Sequence, residues 1–119
     1  MNKKRGIAAE RELLHLLWHK GYAVARIAGS GSIPKPSCDL VAGNKKEKLA
    51  IEVKTTRSNK KYINEKQLKE FISFAEKFGL KPVIAIKFIR KGWFMVEPKK
   101  LKKVGKEYLI RIEDGKKIF

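Results

Sequence analysis

Apolar residues recur at helical spacing in two stretches of the chain. The first predicts a helix over residues 6–20 that ends at Gly21, and the second predicts a helix over residues 64–78 that is capped near Asn64 and ends at Gly79. The apolar stripe of the first helix is formed by Ile7, Leu13, Leu14, Leu17 and Trp18. The stripe of the second is formed by Leu68, Phe71, Ile72, Ala75 and Phe78.

Strand patterns fill much of the remaining sequence. The predicted strands cover residues 22–28, 38–43, 48–54, 82–89, 92–98 and 107–114. A turn over residues 43–47 joins the second and third of them. The continuous apolar run at residues 82–89 indicates a central strand, and the strand at 107–114 is predicted to lie at an edge.

The order of elements is helix, three strands, helix, then two or three strands, which predicts an α/β fold with a mixed central β-sheet flanked by helices. A length of 119 residues favours a single domain over residues 1–119. Residues 29–37 form a long loop rich in glycine, serine and proline, and its length indicates a functional role. Residues 55–62 are predicted to be a basic connection, and residues 99–119 to complete the sheet or a dimer interface.

The charge of the chain narrows the choice of partner. Lysine and arginine total 29 against 12 acidic residues, for a formal charge of +17. Such self-repulsion favours a polyanionic partner, with nucleic acid as the leading candidate because neutralised phosphates release counterions. A lysine-rich solvated surface, as in heat-adapted proteins, is the structural alternative.

Composition also excludes several classes of protein. With Cys38 as its one cysteine, the chain can form neither an internal disulfide nor a cysteine-based zinc cluster. The sequence has no apolar run of 18 residues and no signal-peptide pattern at its start, so no membrane partner is expected. The expected location is the cytoplasm, in association with the nucleoid.

Glu10 breaks the apolar pattern of the first predicted helix. Leu13, Leu14 and Leu17 follow it by three, four and seven residues, which places Glu10 in the middle of the apolar stripe. A buried carboxylate requires a cation or a metal as its partner. The alternative is a half-exposed glutamate near the helix start that pairs with a lysine.

Two further charged positions interrupt predicted strands. Alternation along residues 48–54 places Glu52 and Lys54 on one side of the strand, roughly 7 Å apart, and Ala50 on that side indicates a partly covered face. If residues 43–47 form a hairpin turn, Asp39 lies near the same end of the adjacent strand as Glu52.

These side chains match the needs of phosphodiester hydrolysis. Three carboxylates without histidine or cysteine neighbours are oxygen ligands that suit Mg²⁺, with Mn²⁺ as a plausible substitute. A bound metal polarises phosphate and makes its bound water easier to ionise, and a nearby lysine stabilises developing charge. We expect Lys54 to orient water and stabilise charge, since adjacent carboxylates keep it protonated.

Other candidate motifs favour structural interpretations. His15 and His19 have the i,i+4 spacing of a two-histidine metal site, but they point away from the apolar stripe and lack a zinc-protease glutamate. The Gly-Ser repeat at residues 29–32 lacks the lysine of a phosphate loop, although its hydroxyls and amides could contact a DNA backbone. Cys38 has no neighbouring base and is expected to be a small apolar residue.

Asp39, followed by Glu-Val-Lys at residues 52–54, resembles the PD-(D/E)-x-K nuclease motif, with Cys38 in place of its proline. Residues 5–98, including "GIAAERELLHLLWHKGYAVARIAGSGS" and "YINEKQLKEFISFAEKFG", resemble the archaeal Holliday-junction resolvases of the Hjc type. The resemblance implies a restriction-endonuclease-like fold and a homodimeric, Mg²⁺-dependent endonuclease that cuts two opposed strands of four-way junction DNA.

The resemblance also implies roles for individual residues. Glu10, Asp39 and Glu52 would be metal ligands, with the Val53 carbonyl as a possible fourth, and Lys54 the catalytic lysine. Ser30 would be an active-site serine of the loop after the first strand, and Gln67 the glutamine often seen in this nuclease fold. Phe74 and Phe78 would lie at the dimer or DNA surface. The predicted DNA contacts are Arg11, Arg26, Ser30, Lys35, Arg57, Lys60 and Lys61.

Two alternatives remain at this level. One is a PD-(D/E)-x-K endonuclease for another DNA structure, of the repair or restriction type. The other is a non-catalytic basic module that binds nucleic acid by charge alone, for which Glu52 would be dispensable.

Overall fold

The computed structural model describes residues 3–29 and 34–119. Its two α-helices are α1 (Lys3–His19) and α2 (Glu65–Phe78). Its strands are β1 (Ala23–Arg26), β2 (Leu40–Gly43), β3 (Lys48–Thr56), β4 (Lys60–Asn64), β5 (Lys81–Phe88), β6 (Gly92–Val96), β7 (Lys102–Val104), β8 (Glu107–Arg111) and β9 (Lys116–Lys117). Short 3₁₀ turns occupy Pro98–Lys100 and Ile112–Asp114.

The main sheet has six strands in the order β1-β2-β3-β5-β6-β9. Strands β3 and β5 pair in parallel, and the other neighbours pair antiparallel, so the predicted mixed sheet is confirmed. The connection from β3 to β5 passes through β4 and α2. A smaller sheet has the order β4-β8-β7.

Strand β3 is buried on both of its faces. Leu49, Ile51 and Val53 pack with Leu13 and Leu17 of α1. On the opposite face, Ala50 belongs to a second cluster with Ile84, Ile86 and the α2 residues Leu68 and Phe71. The predicted alternation along this strand is therefore confirmed, and the side that carries Glu52 lies under α2.

The ends of α2 follow the sequence signals. The Asn64 side chain accepts hydrogen bonds from the backbone N–H groups of Lys66 and Gln67, which have no partner within the helix. Gly79 has a φ of 87°, where a side chain would be strained, and its N–H donates to Ala75 and Glu76. These caps fix the helix turn from which Gln67 projects.

Several predicted elements need correction. The basic connection at residues 55–62 is largely strand, because β3 extends to Thr56 and β4 starts at Lys60. The predicted edge strand ends at Arg111, and β8 is the middle strand of the small sheet. Helix α1 begins at Lys3, and Trp18 at its end is 53% exposed rather than part of the core.

Residues 99–119 complete both sheets. They contribute β7 and β8 to the smaller sheet and β9 to the edge of the larger one. No helix within the described ranges is long and apolar enough to cross a membrane.

Candidate active site

Asp39 lies immediately before β2 and opposite the carboxylate-bearing part of β3. The antiparallel register pairs Leu40 with Ile51, and the Asp39 N–H donates to the Ile51 carbonyl at 3.0 Å. The Asp39 carboxylate also accepts a hydrogen bond from the Val53 N–H, with an Oδ2–N distance of 2.8 Å. Two bonds to β3 therefore hold Asp39 beside Glu52, as the hairpin prediction requires.

Glu52 is the buried carboxylate of the main sheet. The residue is 8% exposed, and its Oε2 accepts a hydrogen bond of 3.0 Å from Nε2 of Gln67 on α2. Burial raises the pKa of Glu52 to about 8, with a further increase from the neighbouring charge of Asp39. Lys54 partly opposes this shift, and its Nζ lies 4.0 Å from the same Oε2 atom.

The burial of Glu52 and its closeness to Asp39 favour the binding of a cation at this carboxylate. A hydrogen bond with the Asp39 side chain favours the protonated form of Glu52 and adds to the rise of its pKa. That proton compensates the repulsion between two negative groups that burial would otherwise make costly. A hard divalent cation, which prefers carboxylate oxygen, would compensate the same repulsion, so the pair fits such an ion.

Glu10 reaches the same region from α1, on the other side of the sheet. Its Oε1 accepts a hydrogen bond of 2.9 Å from Nε of Arg26 on β1, within an ion pair whose side chains are 15% and 22% exposed. Burial raises the pKa of Glu10, the Asp39 charge raises it further, and Arg26 opposes both. The expectation that Glu10 needs a cationic partner is met by an arginine.

The three carboxylates form a chain rather than a closed cage. Asp39 is electrostatically coupled to both Glu10 and Glu52, while Arg26 holds Glu10. Within residues 3–29 and 34–119, no three His, Cys, Asp or Glu side chains are arranged to hold a metal ion. Asp39 and Glu52 are thus the carboxylates held side by side, whereas Glu10 is held by Arg26 through its Oε1 atom.

The predicted DNA-binding residues occupy different environments. Arg11, Lys35, Arg57 and Lys60 are exposed. Lys61 is half-buried, because the β4–β8 register places it beside the buried Ile110. Ser30 lies outside the described residues.

Three other predictions concern aromatic, histidine and cysteine side chains. Phe74 and Phe78 lie with ring centroids 5.6 Å apart, and Phe78 is 64% exposed. His15 and His19 are both exposed. Cys38 is buried with its Sγ 3.3 Å from the Leu40 carbonyl, and burial raises the pKa of its thiol to about 12, which confirms the prediction of a small apolar residue.

Sequence reasoning missed the contact between Arg26 and Glu10. Arg26 was predicted to hold DNA phosphate, and its neutralisation of Glu10 depends on how α1 packs against β1. The one sequence signal for this pair is that consecutive elements, α1 and β1, carry opposite charges at half-buried positions, Glu10 and Arg26.

Comparison with known proteins identifies the family of this chain. The family model for "Archaeal holliday junction resolvase (hjc)" matches residues 1–118. The crossover junction endodeoxyribonuclease Hjc of Methanocaldococcus jannaschii is 44% identical over 107 residues, which cover 90% of this chain and 76% of the relative. The corresponding Hjc of Archaeoglobus fulgidus is 38% identical over 108 residues, covering 91% and 79%.

The fold shows the same relationship. The solved structure of Archaeoglobus fulgidus Hjc, a Holliday junction resolvase from an archaeal hyperthermophile, superimposes with a TM-score of 0.86 at 37% identity. The match covers 92% of this chain and 91% of that structure. The chain belongs to the archaeal Holliday junction resolvase (Hjc) family.

Proposed function

We propose that this protein is a crossover-junction endodeoxyribonuclease that resolves four-way DNA junctions by hydrolysing phosphodiester bonds in two opposed strands. The observation that carries the proposal is the buried Glu52 carboxylate held beside half-buried Asp39, with the ammonium group of Lys54 nearby. Two carboxylates held this close in a partly buried place are costly, and perturbed groups of this kind are typical of sites that bind a ligand. The family membership and the charge of +17 make DNA that ligand.

Nucleases of the Hjc type depend on a divalent metal ion. We assign Mg²⁺ here, with Mn²⁺ as a substitute, because the available ligands are carboxylate oxygens. Asp39 and Glu52 would hold the ion, and Glu10 and the Val53 carbonyl would complete its protein ligands. When bound, the ion polarises a phosphate oxygen and lowers the pKa of water.

The chain's own residues prepare that site. Gln67 orients Glu52 through the bond between its Nε2 and Oε2 of Glu52. The Lys54 ammonium group stabilises charge that develops on the phosphate and orients the attacking water. Only 16% of the Lys54 side chain is exposed, so solvent screens this cation less than the surface lysines.

The ion pair between Arg26 and Glu10 bears on the proposed roles of both residues, since Arg26 neutralises Glu10. If a cation took the place of Arg26 beside Glu10, the Arg26 guanidinium would be free to hold a substrate phosphate. Both roles assigned to these residues, metal ligand and phosphate contact, are compatible in this order.

The proposed substrate surface combines positive charge with paired active sites. Arg11, Lys35, Arg57 and Lys60 are exposed cations that can hold phosphates, and a branched substrate is recognised mainly by shape and backbone. Two opposed cuts require two active sites, which a C₂ homodimer supplies. The exposed Phe78 ring, packed on Phe74, supports an apolar contact at such an interface.

The match of the family model from residue 1 to residue 118 supports a single nuclease domain over the whole chain. The test is cleavage of a synthetic four-way junction and of a linear duplex of the same sequence, each with Mg²⁺ and with EDTA. The proposal predicts Mg²⁺-dependent paired nicks in the junction only. Equal cleavage of both substrates would indicate a repair or restriction nuclease, and binding without cleavage would indicate a basic binding module.

A further inference from the structure

An open groove lies between the end of α1 and the turn that joins β2 to β3. Its volume is about 1060 Å³. Trp18, Tyr22 and Ala23 line one side, and Gly43, Lys45 and Lys46 line the other.

Trp18 presents a fixed aromatic surface to this groove. Its Nε1 donates a 3.0 Å hydrogen bond to the Val24 carbonyl, which fixes one edge of the indole to β1. The residue is nevertheless 53% exposed. The hydrogen bond engages only the Nε1 edge of the indole, so the exposed part of the ring is available to stack on another planar group.

The facing turn is rigid and positively charged. The Asn44 side chain accepts hydrogen bonds from the N–H groups of Lys46 and Glu47, at 2.8 and 2.9 Å. The Asn44 N–H donates to the Glu47 carbonyl at 3.0 Å. This network fixes the backbone from which Lys45 and Lys46 project.

The lysines of the turn are not neutralised by contact. Glu47 is the carboxylate of this turn, and it accepts a 2.6 Å hydrogen bond from the Tyr22 hydroxyl. In the described part of the chain, neither Lys45 nor Lys46 forms an ion pair, whereas Lys69, Lys81, Lys87, Lys99 and Lys103 do. Two cations without carboxylate partners therefore stand beside the exposed indole.

We propose that this groove binds single-stranded DNA, with an unpaired base stacked on Trp18 and the adjoining phosphates held by Lys45 and Lys46. Aromatic platforms combined with cations are the chemistry that holds single strands, because only an unpaired base exposes its face. A paired duplex arm could use the lysines but would leave the indole face without a stacking partner.

The groove is separate from the site that cuts. Asp39 and the turn residue Asn44 flank opposite ends of β2, roughly 17 Å apart at the rise of a strand. The inference goes beyond the proposed function, and adds a preference for junctions or forks that carry an unpaired segment near the cleavage point. A fully paired junction would not use the groove.

The test uses the full chain in EDTA with a twelve-nucleotide oligo(dT). Tryptophan fluorescence reports on the groove, because Trp18 is exposed and the other tryptophan, Trp93, is 3% exposed. We expect oligo(dT) to quench the wild-type signal. With binding followed by the anisotropy of an end-labelled oligo(dT), which does not need the indole, Trp18→Ala should weaken binding about tenfold or more. The double variant Lys45→Ala/Lys46→Ala should lower the magnitude of the log–log salt slope by about 1.4, the value for two single-strand phosphates.

The matched control is Lys116→Ala/Lys117→Ala, which removes the same charge from β9 at the opposite edge of the sheet. This variant should keep the wild-type slope. Equal slope changes in both double variants, or oligo(dT) binding without quenching, would contradict the proposal that this groove binds single-stranded DNA. Cleavage of a fully paired junction by Trp18→Ala at the wild-type rate shows that the variant is folded, and it separates this test from that of the nuclease activity.

Discussion

The side-chain amide of Gln67 on α2 is bonded to the carboxylate of Glu52 on β3, with 3.0 Å between Nε2 and Oε2. Helix α2 covers this face of the sheet, and its capped amino-terminal turn carries the Gln67 backbone. Because of this contact, the packing of α2 on the sheet sets the orientation of Glu52, the most buried carboxylate. We therefore propose a positioning role for Gln67, since it contacts Glu52, the proposed metal ligand, rather than the substrate.

Gln67→Ala is expected to lower the rate of junction cleavage about 10- to 100-fold, the usual effect of removing a group that orients a metal ligand. The Mg²⁺ concentration for half-maximal cleavage should rise, while junction affinity in EDTA stays unchanged. Metal titration of the single-turnover rate checks this. Glu70→Ala, an exposed position on the same helix, is the matched control, and an equal effect of both variants would mean general disturbance of α2.

Lys54→Ala is expected to reduce cleavage about 10²- to 10³-fold at saturating Mg²⁺, because a preorganised positive group near the reacting phosphate is lost. Saturating metal separates this effect from weaker metal binding, since Lys54 also lowers the pKa of Glu52. The readout is the single-turnover rate on a four-way junction. Lys66→Ala, an exposed lysine on α2, should cut at the wild-type rate. Robust cleavage by Lys54→Ala would remove Lys54 from the mechanism.

The pKa of Glu52 predicts how stability depends on pH. Burial and Asp39 raise the pKa from 4.5 to about 8, so between these values the folded metal-free chain retains a proton that the unfolded chain has released. The free energy of unfolding should therefore fall from pH 5 to pH 8 and level off above it, with a contribution from Glu52 on the order of a few kcal/mol. Urea unfolding in EDTA at several pH values measures it.

Two comparisons isolate Glu52 in that experiment. Glu52→Gln removes the ionisable group and should flatten this part of the profile. Mg²⁺ should stabilise the wild-type chain more at pH 8 than at pH 6, because a bound metal requires the deprotonated carboxylate. A variant profile identical to that of the wild type would show that Glu52 does not titrate in this range.

Phe78→Glu is expected to disrupt the proposed homodimer, because it places a charge at a 64% exposed aromatic position that would become buried. Sedimentation should then show a monomer, and paired cuts should be lost. Val104→Glu, at a 43% exposed apolar position on β7, is the control and should remain dimeric. A dimeric Phe78→Glu variant with weakened junction binding would place this ring at the DNA surface instead.

Much of the sheet could be predicted because its signals are local. The alternation in residues 48–54 located the two buried faces of β3, and the turn at residues 43–47 brought Asp39 opposite Glu52. Strand β4 was missed because lysines dominate it, and its pairing partner β8 lies far along the chain. Apolar periodicity cannot detect a strand whose sheet forms only through distant residues.

In the candidate site, too, local sequence signals predicted some features, whereas contacts between distant residues could not be predicted. Position on a stripe predicted that Glu10 needs a cation, but the choice of Arg26 depends on packing between α1 and β1. Trp18 was assigned to the apolar stripe by its spacing, yet the helix ends at His19 and leaves the ring beyond the core. At the last turn of a helix, helical spacing alone does not determine burial.

The proposed metal site depends most on the carboxylate of Asp39, and Asp39→Asn removes its charge with the least structural change. The asparagine side chain retains an oxygen that can accept the bond from the Val53 N–H, while the charge that a divalent cation requires is lost. The measurement is the single-turnover rate on a four-way junction in Mg²⁺, alongside junction affinity in EDTA. We predict that cleavage falls below detection while affinity stays within about twofold of the wild type, because phosphate contacts and not Asp39 hold the DNA. Mg²⁺-dependent paired cleavage by Asp39→Asn at the wild-type rate would contradict the account.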